Sequence, residues 1–256
     1  MNTSNKSPVA LITGGSRGLG RSMALHLAAR GVGIILTYRG GVAEAADTVK
    51  QIEAAGGKAV ALALDVGDTS GFGAFVENVR TELGRHFGRE RLDFLVNNAG
   101  IGINASFAET TEAQFDALMN VHLKGTFFLT QRLLPVMADG GRILNISTGL
   151  TRFAFPGYGA YAAMKAGVEA LTRYMAKELG PRGITVNVLA PGPVETDFRG
   201  GAIRNSPEMK KALSAQTAFG RVGQADDIGG IVALLLAPES GWVTGQRIEA
   251  SGGILL

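Results

Sequence analysis

Tyr161 and Lys165 stand four residues apart in the stretch Tyr161-Ala-Ala-Met-Lys165. On a helix that spacing puts both side chains on one face, one turn above the other, so an ammonium can approach a phenol. A phenol titrates near 10 and exchanges protons poorly at neutral pH, whereas a neighbouring cation favours the phenolate and lowers its pKa. Bringing a tyrosine toward 7 takes roughly 4 kcal/mol of differential stabilisation, at about 1.4 kcal/mol per unit. One lysine and a cationic cofactor ring together are able to supply that much. Such a pair also arises by chance, so the surrounding elements must decide whether it does chemistry. Thr148 lies thirteen positions upstream of the tyrosine.

A second chemical feature opens the chain. Val9 to Thr13 is a short apolar run followed by Gly14-Gly15-Ser16-Arg17-Gly18-Leu19-Gly20, and Leu19, Met23, Ala24, Leu27 and Ala28 then recur at helical spacing up to Gly31. A glycine-rich turn between a strand and a helix presents backbone N–H groups at a helix N-terminus, where the dipole favours an anion such as pyrophosphate. Gly14, Gly18 and Gly20 suit that role, although Gly-x-x-x-Gly-x-Gly differs from the usual dinucleotide fingerprint and a purely structural turn is the alternative. Gly14-x-Ser16-x-Gly18 also matches a hydrolase nucleophile elbow, which needs a histidine late in the chain. The three histidines, His26, His86 and His122, all fall in the first half.

Dinucleotide sites that take NAD carry an acid about twenty residues past the glycines. Here the next strand ends Tyr38-Arg39-Gly40 with no carboxylate, and Arg39 with Arg17 suits a 2′-phosphate, which points to NADP(H). Two solvated surface arginines are the plainer reading. Asn97-Asn98-Ala99-Gly100 follows a fourth apolar run, either as a turn or at the ligand-facing edge of an open sheet. Asn120 stands in an otherwise apolar helical stretch where a buried amide needs partners. His122 has no metal-spaced partner and reads as surface or packing.

These groups have to be positioned by alternating elements. Strands are expected at Val9 to Thr13, Val32 to Tyr38, Ala59 to Leu64, Leu92 to Val96, Arg142 to Ser147, Ile184 to Leu189 and Gln246 to Glu249. Helices are expected at Leu19 to Ala28, Val42 to Ala55, Thr69 to Leu83, Glu112 to Leu134 as one long helix, Ala160 to Leu179, and Ile228 to Leu236 behind an Asp226-Asp227 cap. Strictly alternating strands and helices mean parallel βαβ units in an α/β fold covered on both faces. Residues 197–219 look less regular and suit a mobile flap, and residues 1–7 form a polar leader.

Composition narrows the function classes. A chain of 256 residues, 46% hydrophobic and 18% charged, fits one compact domain with a sizeable core. Its net charge of +3 is small and scattered, which gives no footprint for nucleic acid. The absence of cysteine excludes disulfides, thiol catalysis and cysteine-ligated metal, and fits a reducing cytoplasm. The apolar run Ile231 to Ala237 is far short of the ~20 residues that span a bilayer. No metal site is expected.

In order and spacing, Thr13 to Gly20, Asp65-Val66, Asn97 to Gly100, Asn120, Tyr161 to Lys165 and Pro191-Gly192 with Thr196 resemble the short-chain dehydrogenase/reductase family from about Pro8 to Gly253, and bacterial carbonyl or 3-oxoacyl reductases in particular. The resemblance implies a single Rossmann-type, doubly wound domain with a seven-stranded parallel sheet, assembled as a homotetramer through two long helices. It implies NADPH-dependent reduction of a small-molecule ketone or aldehyde, with an acyl thioester as the alternative substrate and a cofactor-binding sensor or scaffold as the non-enzymatic alternative. Tyr161 would be the general acid, Lys165 would lower its pKa and hold the nicotinamide ribose, and Asn120 would support a water relay. Gly14, Ser16, Arg17, Gly18, Leu19, Gly20 and Arg39 would hold the phosphates, Asp65 and Val66 the adenine, Asn97 the region below it, and Pro191, Gly192, Val194 and Thr196 the carboxamide side. One departure stands out: the family's serine thirteen residues before the tyrosine is Thr148 here. Threonine keeps the hydroxyl but stiffens χ1 and narrows the site. Ser147 is the lesser candidate, since alternation along a strand turns it to the opposite face. Phe153, Phe155, Tyr158 and Phe198 flank the expected site and suggest an apolar pocket.

Overall fold

A computed structural model of the chain describes residues 7–256, so all but Ser7 of the expected leader lies outside the described residues. In chain order the elements are β1 (Val9–Ile12), α1 (Gly18–Ala28), β2 (Gly33–Tyr38), α2 (Val42–Ala54), β3 (Ala59–Ala63), α3 (Phe72–Glu82), β4 (Leu92–Asn97), α4 (Glu112–Leu118), α5 (Gly125–Leu133), β5 (Met137–Ile146), α6 (Gly159–Leu179), β6 (Thr185–Pro191), β7 (Val194–Glu195), α7 (Pro207–Ser214), β8 (Gly223–Gln224), α8 (Ala225–Leu235) and β9 (Arg247–Ala250). Seven strands form one parallel sheet in the order β3-β2-β1-β4-β5-β6-β9. The chain winds outward from β1 in one direction and from β4 in the other. Their carboxyl ends therefore diverge into a crevice, the usual ligand position of an open α/β sheet.

Alternation along each strand divides the apolar residues between two cores. Leu11, Ile35, Leu95 and Ile143 pack with the side chains of α3, α5 and α6, while Ala10, Ile12, Ile34, Leu36 and Val96 pack with Met23, Leu27, Ile52 and Val232 from α1, α2 and α8. On the first face a buried polar ladder crosses the apolar layer. Asn97 Nδ2 donates to Thr130 Oγ1 at 3.0 Å and to Asn145 Oδ1 at 2.8 Å, Asn145 Nδ2 donates to Thr172 Oγ1 at 2.8 Å, and Thr172 Oγ1 donates to the Val168 carbonyl at 2.8 Å. These bonds tie β4 and β5 to α5 and α6.

Several boundaries differ from those the sequence suggests. The expected single helix from Glu112 to Leu134 is broken by a π-helical turn at Met119–Lys124 between α4 and α5. Gly125 ends that turn where the helix meets the backbone after β3, and a Cβ there would collide with the Val66 carbonyl. Thr126 Oγ1 donates to the His122 carbonyl at 2.7 Å and so occupies one oxygen of the widened turn. The expected Asp226-Asp227 cap is corrected as well. Gln224 caps α8, with Gln224 N donating to Asp227 Oδ2 at 2.7 Å in a reciprocal box. Residues 197–219 are not uniformly irregular: they contain α7, capped by Ser206 Oγ, which accepts from Met209 N at 3.2 Å. The short β7–β8 pair has no counterpart in the sequence reading, because two-residue strands carry no period. No helix among the described residues is long and apolar enough to cross a membrane, and no cluster among them could hold a metal ion.

Candidate active site

At the crevice the end of β1 is tied to the end of β4. Thr13 Oγ1 accepts from Asn98 N at 2.9 Å and Ala99 N at 3.0 Å, while Asn98 Nδ2 donates to the Thr13 carbonyl at 2.9 Å and the Gly14 carbonyl at 3.1 Å. These bonds hold the glycine turn open above the sheet. Gly14 and Gly18 have φ of +65° and +54°, and a Cβ on Gly20 would strike the Gly14 carbonyl. The turn thus leads into the N-terminus of α1 with its backbone uncovered, which is what a diphosphate requires.

A cavity of about 770 Å³ runs from this turn to the N-terminal end of α6. Gly14, Ser16, Arg17, Gly18, Leu19 and Gly20 line one end, with Arg39, Asp65 and Val66 beside them. Pro191, Gly192, Val194 and Thr196 line the middle, and Thr148, Tyr161 and Lys165 line the far end. Arg17 and Arg39 are exposed at the mouth, and among the described residues the only ion pair of either is a loose contact of 3.9 Å from Arg39 Nη1 to Asp65 Oδ2. Two arginines and a bare glycine turn make a donor set that fits a phosphorylated dinucleotide. Ser16 bonds to none of the three histidines: His26 faces Asp226, His86 faces Glu82 and His122 faces Ile101, so no hydrolase elbow forms.

Tyr161 is buried and hydrogen-bonds the Thr148 side chain, which stands at the N-cap of a short 3-10 turn. Burial is the largest influence on the phenol and pushes its pKa up, with the Thr148 hydroxyl acting in the opposite direction. Lys165 Nζ lies 5.9 Å from the Tyr161 ring centre and donates to the Ile146 carbonyl at 2.6 Å. Burial brings the lysine itself down to about 8. Ser147 turns away from the cavity chemistry, its Oγ donating to Glu169 Oε1 at 2.6 Å.

Two asparagines lie elsewhere than the sequence reading put them. Asn97 does not line the cavity; it shares the face of Leu95, and its amide is consumed by the buried ladder to Thr130 and Asn145. Asn120, the second residue of the π turn, does not line it either. His122 stands there instead. Its ring meets Tyr161 edge-on with centroids 5.1 Å apart, and Nε2 bonds the Ile101 carbonyl at 2.7 Å, which assigns the proton to Nε2. Nδ1 is left as a buried acceptor without a partner among the described residues. Burial, reinforced by the Lys165 charge, lowers the imidazole to about 3, so it is neutral at ordinary pH. The missed signal was spacing: His122 follows Leu118 by one turn, and Leu118 packs with Tyr161 and Met164.

Beyond Tyr161 the cavity becomes apolar. Phe153 and Phe155 meet at 5.5 Å between ring centres, and Phe198 approaches the Tyr161 ring at 6.2 Å. Tyr158, Ile203, Met209 and Ile254 complete this chamber.

A glycine cradle at a topological switch point, beside a buried phenol, hydroxyl and ammonium, defines an oxidoreductase of dinucleotide-binding fold. Residues 14–254 match the family model described as enoyl-(acyl carrier protein) reductase. The 3-oxoacyl-[acyl-carrier-protein] reductase FabG of Staphylococcus aureus is 36% identical over 249 residues, covering 96% of this chain and 98% of that one. The structure of the promiscuous reductase LugOII, which catalyses keto-reduction at C1 during lugdunomycin biosynthesis, superposes with a TM-score of 0.93 at 40% identity, covering 98% of this chain and 99% of the other. The angucycline C-6 ketoreductase LanV with bound NADP also gives 0.93, at 38% identity and coverage of 98% and 97%. The chain belongs to the short-chain dehydrogenase/reductase family.

Proposed function

We propose that this protein reduces a ketone or aldehyde to an alcohol with NADPH, and that its preferred substrates are cyclic aromatic ketones. The observation that carries the reading is the convergence of the Tyr161 phenol, the Thr148 hydroxyl and the Lys165 ammonium where the glycine-lined half of the cavity meets the aromatic half. When bound, NADPH would supply a hydride for the carbonyl carbon. Gly14 to Gly20 would hold its diphosphate, Arg17 and Arg39 its 2′-phosphate, and Asp65 and Val66 its adenine end. Thr148 and Tyr161 hold the substrate carbonyl oxygen, and the Tyr161 hydroxyl gives that oxygen its proton. A phenol kept protonated by burial is in the right state for this transfer. Lys165, cationic below about 8, then stabilises the phenolate left behind. His122 remains neutral and supports the phenol ring from its edge.

Residues 197–219, with α7, serve as the flap over the substrate. The aromatic chamber, together with the keto-reduction at C1 named for LugOII and the angucycline C-6 ketoreduction named for LanV, supports the substrate class. The relation to FabG supports a second reading, an acyl thioester. The family resemblance further supports a cytoplasmic homotetramer.

The test is NADPH oxidation with paired panels of aromatic ketones and acyl thioesters. Tyr161→Phe is expected to abolish turnover while the dissociation constant for NADPH changes less than about threefold, a limit of well under 1 kcal/mol. Retained turnover in that variant would remove the mechanism.

A further inference from the structure

We infer that Arg199 is a specificity-determining residue which binds an anionic oxygen of the substrate, so that the natural ketone carries a carboxylate or an ionised phenol on its ring system. The inference rests on the reductase reading to seat the reacting carbonyl at Tyr161.

Arg199 lines the aromatic half of the cavity directly after Phe198, whose ring lies 6.2 Å from that of Tyr161. Its stem lies flat across Gly102, where a Cβ would collide with Arg199 Cγ and with Phe198. The guanidinium reaches Tyr158, three residues before Tyr161; Nη1 donates to the Tyr158 hydroxyl, and Cζ lies 5.2 Å from its ring centre. Those contacts fix the side chain without neutralising it. Several other arginines have carboxylates: Arg152 pairs with Glu249, Arg204 with Asp197, Arg221 with Asp227 and Arg247 with Glu169. Arg199 has none among the described residues.

A guanidinium half-withdrawn into a chamber of Phe153, Phe155, Phe198 and Ile203 has lost part of its hydration and gained no counter-charge. Five N–H donors in a planar fork, one of them used by Tyr158, are suited to a carboxylate or phenolate arriving with the ligand. The cofactor's phosphates are served at the opposite end of the cavity by the glycine turn, Arg17 and Arg39.

The test compares acetophenone, para-hydroxyacetophenone and para-acetylbenzoate as substrates of the wild type, Arg199→Met and Arg199→Lys. The wild type should favour acetylbenzoate over acetophenone in kcat/KM by roughly tenfold to a hundredfold, the range of a charge-assisted hydrogen bond. Arg199→Met should erase that preference while acetophenone turnover and NADP⁺ affinity stay within about threefold, and Arg199→Lys should restore part of it. The hydroxy ketone separates the two sources of charge, because its advantage should appear only above the pKa of its phenol. A preference that survives Arg199→Met, an equal loss for acetophenone, or weakened NADP⁺ binding would each overturn the assignment. A binding arm needs no turnover: naphthoate should bind the NADP⁺-loaded wild type at least about tenfold more tightly than naphthamide, and the Met variant should not discriminate. If naphthoate discrimination depends on Arg199 while no ketone is reduced, the anion site stands and the reductase reading fails.

Discussion

At the scale of single residues, the site separates two hydroxyls that adjoin in sequence. Ser147 Oγ is spent on Glu169 at 2.6 Å, whereas the Thr148 side chain hydrogen-bonds with the Tyr161 phenol. Thr148→Ala should therefore lower kcat by roughly a hundredfold, the scale of one lost oxyanion-type donor. Ser147→Ala should leave kcat within about threefold and act modestly on stability instead, by removing one of the donors that Glu169 Oε1 shares with Thr151 and Arg247. Steady-state kinetics on both variants decides, and the assignment to Thr148 fails if only the serine variant loses turnover. The protonation states give a second expectation. Burial lowers Lys165 from its ordinary value to about 8 and raises the phenol of Tyr161. Lys165 is cationic below that pH and neutral above it, so kcat/KM for reduction should be flat toward neutrality and fall by about tenfold per pH unit beyond about 8. The phenol contributes no limb in this window, because it keeps its proton to a higher pH. A profile that rises through pH 8 would exclude Lys165 as the controlling group. Tyr161, Lys165 and the glycine turn were legible because their chemistry depends on residue type at fixed spacing. His122 reads as a surface or packing residue and is a packing one, but its contact with Tyr161 was not legible, since that depends on which way one turn of helix faces.

At the scale of elements, the apolar alternation of the strands and the 3.6-residue spacing of most helices recovered the parallel sheet and its two covers. Their failure between Glu112 and Leu134 has a physical cause. A π turn adds one residue to a helix without interrupting the run of apolar residues, so the pattern continues while every later side chain is re-aimed. Asn120 lies inside that turn and does not line the cavity, whereas His122 of the same turn does. Asn97 was misread for a different reason: period two assigns it to the face of Leu95, and Asn145 to the face of Ile143, where both meet the threonines of α5 and α6. The ladder they form should matter to stability. Asn145→Ala would leave Asn97 Nδ2 short of one acceptor and Thr172 without its donor in a fully buried layer. Thermal and urea unfolding should register a loss of roughly 2–3 kcal/mol, the cost of orphaning buried polar groups. By the usual scaling that is a fall in Tm of about 4–12 °C. A loss below about 0.5 kcal/mol would mean that the ladder is not a fastener between sheet and helices.

At the scale of the whole molecule, the cavity is assembled from segments far apart in the chain, and its last wall comes from the end of it. Ile254 is buried against the aromatic chamber, held there by Arg152, whose Nη2 donates to the Ile254 carbonyl at 2.6 Å and Nη1 to the Leu255 carbonyl at 3.0 Å. While the interior is closed in this way, the outer faces of the long helices are not. Phe127 and Phe128 on α5 are 43% and 40% exposed, and Tyr174 on α6 is 70% exposed. Large aromatic side chains gathered on adjoining helix faces are costly to leave in water and mark association surfaces. A face built from two antiparallel-capable helices can meet a copy of itself across a two-fold axis, and a second such axis closes a tetramer without open ends. Light scattering coupled to size exclusion should accordingly give four times the 26.6 kDa chain mass for the wild type at micromolar concentration. The double substitution Phe128→Lys and Tyr174→Lys should yield a smaller species, because four like charges would then face one another across each two-fold axis. Cavity residues lie on the other side of α6, so the dissociated variant should still bind NADPH. A monomeric wild type, or a double variant that remains tetrameric, would exclude the α5 and α6 face as the contact.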